Sequence, residues 1–146
     1  MRVQTKAYGE IDADPRQLVA FPEGLLGFEK FTEFVLLDAR QKPFLYLQSV
    51  DVPDLAFILI DPFLFRADYS IDVADETLDA IGIEKPGDAL VFAIVTVPPD
   101  GGGATANLMG PLIINKANRK GIQAVLTDLR WKVKHDIMAE LAESRG

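Results

Sequence analysis

Apolar residues recur in short segments along the chain, and turn-forming residues separate these segments. Several segments alternate between apolar and polar positions, which is the period of a β-strand with one buried face. The run at residues 89–97 is apolar almost throughout and predicts a strand that is buried on both faces. The pattern predicts strands at residues 3–9, 18–21, 33–38, 44–49, 55–61, 89–97, 105–115 and 122–126.

Two segments have the spacing of helices instead. A short helix is predicted over residues 75–81, because Asp75 and Glu76 place negative charge at its N-terminus and Gly82 can end it in the left-handed conformation. An amphipathic helix is predicted over residues 132–144. Its apolar positions are Val133, Ile137, Met138 and Leu141.

Many short strands, two helices and the absence of a repeat or a long linker indicate one mainly β domain over residues 1–146. The sequence PPDGGG at residues 98–103 is a strong turn signal between two strands. A sandwich and a barrel both fit this order. We favour a small antiparallel β-barrel, because closure removes the strand edges that would otherwise pair with other chains.

One predicted strand, residues 105–115, is interrupted by Gly110 and Pro111. These two residues can bend or bulge the strand, and Asn107 and Asn115 could close the bend through bonds from their side chains to the backbone. In a second interpretation, Asn107 and Leu108 are exposed at a groove that binds a partner. The strand pattern alone leaves both interpretations open.

Composition narrows the class of protein. The chain has a net charge of −7 and no cysteine, which excludes disulfides and thiolate metal sites. Neither the N-terminus nor any apolar run predicts a signal peptide or a membrane span, so we expect a cytoplasmic protein with no membrane partner. An acidic surface repels nucleic acid, which argues against direct nucleic-acid binding. Such a surface can attract a basic protein, or it can simply keep the chain soluble.

The residues offer little for catalysis. His135 is the only histidine and lies among charged residues, so we interpret it as a surface histidine. No nucleophile elbow, metal-binding spacing or phosphate loop is present, and no cofactor or metal is predicted. The aspartates fall at turns and strand ends, where they can bond the local backbone. Two alternatives to a partner-binding protein remain: a small β-barrel enzyme or ligand binder that uses carboxylates, and a structural subunit of a larger assembly.

Three stretches together resemble one family, the bacterial flagellar assembly factor FliW. They are FPEGLLGFE at residues 21–29, FLYLQS at residues 44–49, and TANLMGPLIIN at residues 105–115, which is followed by Gln123. Their order and separation fit across nearly the whole chain.

The resemblance implies a non-enzymatic regulator with a small barrel-like β fold. Members of the family bind and antagonise the RNA-binding translational repressor CsrA, and they bind flagellin as a competing partner. Glu23, Phe28 and Glu29 are the preferred contact candidates, because a packed acidic loop can present charge rigidly. In the alternative interpretation, Phe28 only plugs one end of the barrel.

Overall fold

Ten β-strands and two α-helices make up the computed structural model, which describes the backbone of residues 1–145 and the side chains of residues 1–143. The strands are β1 (Arg2–Thr5), β2 (Gly9–Asp12), β3 (Leu18–Ala20), β4 (Glu33–Asp38), β5 (Leu45–Ser49), β6 (Ala56–Ile60), β7 (Ala89–Thr96), β8 (Thr105–Asn115), β9 (Gly121–Gln123) and β10 (His135–Asp136). The helices are α1 (Asp75–Asp79) and α2 (Ile137–Arg145).

Strands β3 to β8 form an antiparallel meander, in which each strand pairs with the next one along the chain. The long strand β8 then pairs with β9 at one end and with β10 at the other. At the opposite edge of the sheet, the amide of Ala20 at the end of β3 donates to the carbonyl of Arg119, just before β9, at 3.0 Å. The two edges therefore meet, and the barrel-like fold predicted from the sequence is confirmed.

The barrel interior is built from one face of these strands. Val19 of β3 and Leu112 of β8, which lie toward opposite edges of the sheet, belong to the same buried cluster. They can only do so on the inside of a closed curve. The other fully or nearly fully buried members are Phe21, Leu25, Phe34, Leu47, Leu59, Phe92 and Ile114. The barrel interior is therefore filled by apolar side chains, and no aspartate or glutamate among the described side chains is buried.

Three further clusters cover the outer face of the barrel. The β1–β2 hairpin packs Val3 against Val35 and Leu37 of β4. Tyr69 and Trp131 belong to a second cluster, over β7 and the first half of β8. The third cluster joins Ile81 and Ile83, which follow α1, to Ile113 and Ala124.

The first predicted strand is wrong as a single element, because residues 3–9 turn back on themselves. Thr5 explains the turn: its hydroxyl donates to the carbonyl of Gly9 at 2.8 Å and accepts from the amide of Tyr8 at 2.9 Å. The result is the β1–β2 hairpin. Alternation along residues 3–9 does not reveal this reversal, because a short hairpin and a strand share the same local pattern.

The C-terminal helix begins at Ile137 rather than at residue 132, as the sequence pattern predicted. The preceding segment is held against β8, since the carbonyl of Lys132 accepts from the amides of Leu108 at 3.0 Å and Met109 at 3.2 Å. Of the four predicted apolar positions, Val133 and Met138 are exposed, whereas Ile137 is buried. Within residues 1–145, no helix has the length and apolar character of a membrane span.

The prediction that His135 lies on the surface is wrong. Its side chain is 8% exposed, because β10 places it beside β8 under the start of α2. The amide of Lys132 donates to its Nε2 at 2.9 Å, so a neutral ring carries its proton on Nδ1, which lies 2.9 Å from the carboxylate of Glu140. His135 thus joins strand and helix.

Candidate functional site

The loop at residues 21–32 is a series of tight turns. The amide of Gly24 donates to the carbonyl of Phe21, and the amide of Phe28 donates to the carbonyl of Leu25, each at 2.7 Å. Gly24 has a φ of 70°, and a Cβ atom there would lie 2.5 Å from the Cα atom of Glu29. Glycine is therefore required at this position by both conformation and space.

Gln123 connects this loop to the bend in β8. Its Oε1 accepts from the amide of Leu26 at 2.9 Å, and its Nε2 donates to the carbonyl of Gly110 at 3.0 Å. The first and third sequence stretches, which are far apart along the chain, thus meet at one side chain. We call this meeting point, formed by residues 21–29, residues 107–111 and Gln123, the Gln123 junction.

The bend at Gly110 has the structural explanation offered by the sequence, with one correction. Asn107 Oδ1 accepts from the amides of Met109 at 3.1 Å and Gly110 at 2.9 Å, and the β7–β8 register shifts opposite this point. Asn115 does not close the bend as expected. Instead, its Nδ2 donates to the carbonyl of Ile81 at 2.9 Å, so it anchors the segment after α1.

The second stretch, residues 44–49, lies away from the junction and supports a turn. Gln48 is buried, and its Oε1 accepts from the amide of Lys6 at 2.9 Å. Its Nε2 lies within bonding distance of several carbonyls in the β5–β6 connection, the nearest being Ser49 and Pro53 at 3.0 Å. The Ser49 hydroxyl accepts from the amide of Val52. These bonds are structural and leave no side-chain amide for a partner.

The structure brings three of the five predicted contact residues together on the loop. Glu23 and Glu29 are exposed, and the carboxylate of Glu29 also accepts from the amide of Gly27 at 3.2 Å. Phe28 is 38% exposed. Its ring packs edge to face against the ring of Phe57, with the two ring centroids 5.2 Å apart. Phe28 therefore packs against Phe57 of β6 while presenting part of its ring to solvent.

The other two predicted contact residues lie in β8, and the expectation that both are exposed is wrong. Leu108 is fully buried in the outer cluster with Tyr69 and Trp131. The adjacent residue, Met109, is exposed instead. Asn107 is half-buried, with its side-chain oxygen already used by the bend.

Sequence analysis missed three exposed apolar side chains on the segments that meet at Gln123. Leu26 is 59% exposed, Val125 is 55% exposed and Met109 is 36% exposed. Their type and spacing suit a buried strand or a packed loop equally well, so only the tertiary arrangement shows that they face solvent. Leu26 and Met109, together with Phe28, give the junction exposed apolar side chains, and the two glutamates lie on the same loop as Leu26 and Phe28.

The described residues 1–145 contain no group of three or more histidine, aspartate or glutamate side chains arranged to hold a metal ion. Asn107 and Gln123 shape the junction through bonds to the backbone, and most of its exposed side chains are apolar or acidic. A surface of this kind can bind a protein.

Comparison with known proteins identifies the family. The FliW protein family model matches residues 2–137 of this chain. The chain belongs to the FliW family. The Treponema pallidum (strain Nichols) protein named flagellar assembly factor FliW is 52% identical over 146 residues, which cover 100% of this chain and 97% of that protein. The protein of the same name from Treponema denticola is 53% identical over 141 residues, covering 97% and 96% of the two chains.

A solved structure agrees with this FliW assignment. The crystal structure of the flagellar assembly factor FliW superimposes with a TM-score of 0.86 at 38% sequence identity. The match covers 94% of this chain and 96% of the other. The nearly closed barrel and its outer coverings are thus the FliW fold, and the Gln123 junction lies within the part of the chain that the family model matches.

Proposed function

We propose that this FliW-family chain is a flagellar assembly factor that works by binding protein partners rather than by catalysis. It acts in the cytoplasm, where it binds and antagonises the RNA-binding translational repressor CsrA. Flagellin is its alternative partner, and competition between the two couples the level of flagellin to its translation. Family membership carries this proposal, since the relatives that match nearly the full chain are named flagellar assembly factor FliW.

The Gln123 junction supports the proposal as a contact surface. Glu23 and Glu29 are exposed on a loop that Gln123 holds in place, so their charges have fixed positions toward a basic protein. Phe28 supplies a partly exposed aromatic ring beside them. Asn107 positions this surface through the bend, and Leu108 packs beneath it.

A titration of the purified chain with purified CsrA, and separately with flagellin, tests the proposal. We expect each partner to bind and flagellin to displace CsrA. Recovery of neither complex by calorimetry would overturn the proposed function.

A charge reversal tests the contribution of the junction. Glu23→Lys combined with Glu29→Lys should weaken CsrA binding about tenfold at low salt, because like charges then face each other. The matched control is Asp51→Lys with Asp54→Lys, which makes the same change in net charge at two exposed positions in the β5–β6 connection. Unchanged affinity in the Glu23/Glu29 variant would remove the loop from the CsrA interface.

A further inference from the structure

An open groove with apolar walls lies on the outer face of the barrel. Its floor is formed by Val91 of β7 and Ile113 of β8, which are directly paired across the two strands. Its walls include Phe63, Val73 and Leu78, from the segment that contains α1. The groove has a volume of about 330 Å³. It is large enough to receive apolar side chains from another molecule.

The groove is not fully covered by its own chain. Phe63 at its edge is 43% exposed, and the adjacent Leu64 is 50% exposed. Val73 and Leu78 are half-buried, although the same segment sends Ile81 and Ile83 into a buried cluster. Half-buried apolar walls on a well-packed segment indicate a preformed depression rather than a gap left by loose packing.

The segment that walls the groove carries nearly all of the excess negative charge of the protein. Residues 61–88 contain eight carboxylates and two cations, a net charge of −6, whereas the whole chain has a net charge of −7. The remainder of the chain is therefore close to neutral, at −1. Because the charge is concentrated here, it is a local property of this face and not only a general aid to solubility.

Most of these carboxylates are free to meet a partner. Within the described side chains, Asp68 is the one member of the eight in an ion pair, with Arg66 at 2.9 Å. Arg66 also pairs with Glu140, so one of the two cations is already engaged. Glu84 lines the groove together with Lys85, the second of the two cations, and both are exposed. Asp79, at the end of α1, is exposed as well.

We propose that this groove is a docking site for a basic segment of a partner protein, which inserts apolar side chains between Phe63 and Leu78 and sets lysine or arginine against the exposed carboxylates of residues 61–88, such as Asp79 and Glu84. The charge complementarity selects this occupant, since a second copy of the chain that paired groove to groove would bring the same negative charge. The inference rests on the proposed function for the nature of that partner, a basic RNA-binding repressor.

The groove and the Gln123 junction are neighbouring surfaces. A second depression, of about 410 Å³, is lined on one side by Asp72 and Val73 and on the other by Ile122, Gln123 and Val125. Val73 lines both the groove and this depression. A partner seated on the junction can therefore reach the groove across the acidic segment, which extends the docking surface beyond the loop.

Two labelled synthetic peptides test the groove directly by fluorescence anisotropy. One is an amphipathic peptide of leucine and lysine, and its twin carries glutamate in place of lysine. We expect the lysine peptide to bind the native chain at least about tenfold more tightly than the glutamate peptide. Equal binding of the two peptides would overturn the inference.

Charge reversal near the groove tests whether the lysine peptide binds there. Asp79→Lys combined with Glu84→Lys should weaken the lysine peptide about tenfold. The lysine at position 79 suits the C-terminal end of α1, so the fold is retained. The control Asp51→Lys with Asp54→Lys has the same net charge and should change binding by less than about twofold, because those residues lie away from the groove. Equal losses in both variants would overturn the inference.

The apolar contact has its own matched pair. Phe63→Ala should weaken the lysine peptide about fivefold, whereas Leu64→Ala, at an adjacent residue of similar exposure that does not line the groove, should change it by less than about twofold. Thermal unfolding of each variant verifies the fold. A native dimer that Phe63→Ala converts to a monomer in sedimentation would overturn the inference and assign the groove to a second copy.

Titration with CsrA separates this inference from the proposed function. Failure of the native chain to bind CsrA would overturn that part of the proposed function, and the peptides would still decide the groove. Equal binding of CsrA to the native chain and to the Asp79/Glu84 variant would overturn the groove as its docking site, while leaving the proposed function in place.

Discussion

Two irregular segments lie against the same barrel, and they are held in opposite ways. The loop at residues 21–32 is fixed by tight turns and by the side chain of Gln123, and its net charge is −1. The segment at residues 61–88 is fixed mainly by apolar packing onto the sheet and carries a net charge of −6. The loop contains a recognisable sequence pattern, whereas residues 61–88 contain most of the net negative charge.

The difference teaches that the residues which identify a family need not be those which contact its partners. The glycines of the loop and Gln123 are each needed for one backbone geometry, so few other residue types can replace them. Carboxylates around a groove need only provide negative charge, and many arrangements do so. The loop therefore reveals the family, whereas the acidic segment reveals the chemistry of a partner.

The largest loss of stability is expected at Gly24, where the loop has no space for a side chain. Gly24→Ala should lower the free energy of unfolding by about 3 kcal/mol, because it adds an unfavourable φ to a contact of 2.5 Å with the backbone of Glu29. Urea unfolding followed by circular dichroism measures this change.

Gly27→Ala is the matched control within the same loop. Gly27 also has a positive φ, of 85°, but a Cβ atom there would meet nothing within 4 Å. The loss should be about 1 kcal/mol, which is the conformational cost alone. Equal losses at both glycines would show that the close approach of Gly24 to Glu29 does not matter for stability.

In the acidic segment, we expect stability to depend on pH through Tyr69. Burial raises the pKa of Tyr69, whose hydroxyl donates to the carbonyl of Leu108 at 2.7 Å. Above the ordinary pKa of 10.0, the unfolded chain loses this proton while the folded chain keeps it, so stability falls as pH rises. This one group should contribute a slope of about 1.4 kcal/mol per pH unit.

Tyr69→Phe isolates that contribution. The variant should be somewhat less stable than the native chain at pH 8, because the carbonyl of Leu108 loses a donor. Its stability should then decline less steeply above pH 10, as measured by chemical unfolding at a series of pH values. Parallel slopes for the two proteins would contradict the role of Tyr69.

The smallest effect is expected at the connection between the loop and β8. Gln123→Ala removes the bonds to the amide of Leu26 and the carbonyl of Gly110, and it should cost about 1 kcal/mol of stability. The amide of Leu26 should also exchange with solvent faster, since it loses its acceptor. Hydrogen exchange measures this, with the amide of Phe28, which is bonded within the loop, as the internal reference.

Much of the barrel could be predicted because its strands are local in pattern. Strand β4 at Glu33–Asp38 has the predicted bounds, and β8 at Thr105–Asn115 has them as well. The start of α1 and the left-handed glycine after it also agree with the sequence, since Gly82 has a φ of 76°. Each of these features depends on neighbours within a few residues, which the sequence displays directly.

Two wrong predictions concern burial, which depends on contacts that the local pattern does not display. His135 was assigned to the surface, but it is buried because β8 and Glu140 enclose it. The second interpretation of residues 105–115 places Leu108 at an exposed groove, but Leu108 is buried in one cluster with Tyr69 and Trp131. The residues that pack against His135 and Leu108 lie at different distances along the chain, and the local sequence pattern does not show which of them will be in contact.

The sequence alone predicted most of the strands and pointed to the family through three stretches, because strand alternation and turn residues are local properties of a chain. The tertiary structure was needed to show that Gln123 joins two distant stretches, that Leu108 is buried while Met109 is exposed, and that the acidic segment walls an open apolar groove. Burial depends on what the rest of the chain places against a residue, and that is settled only when the barrel closes and its coverings pack.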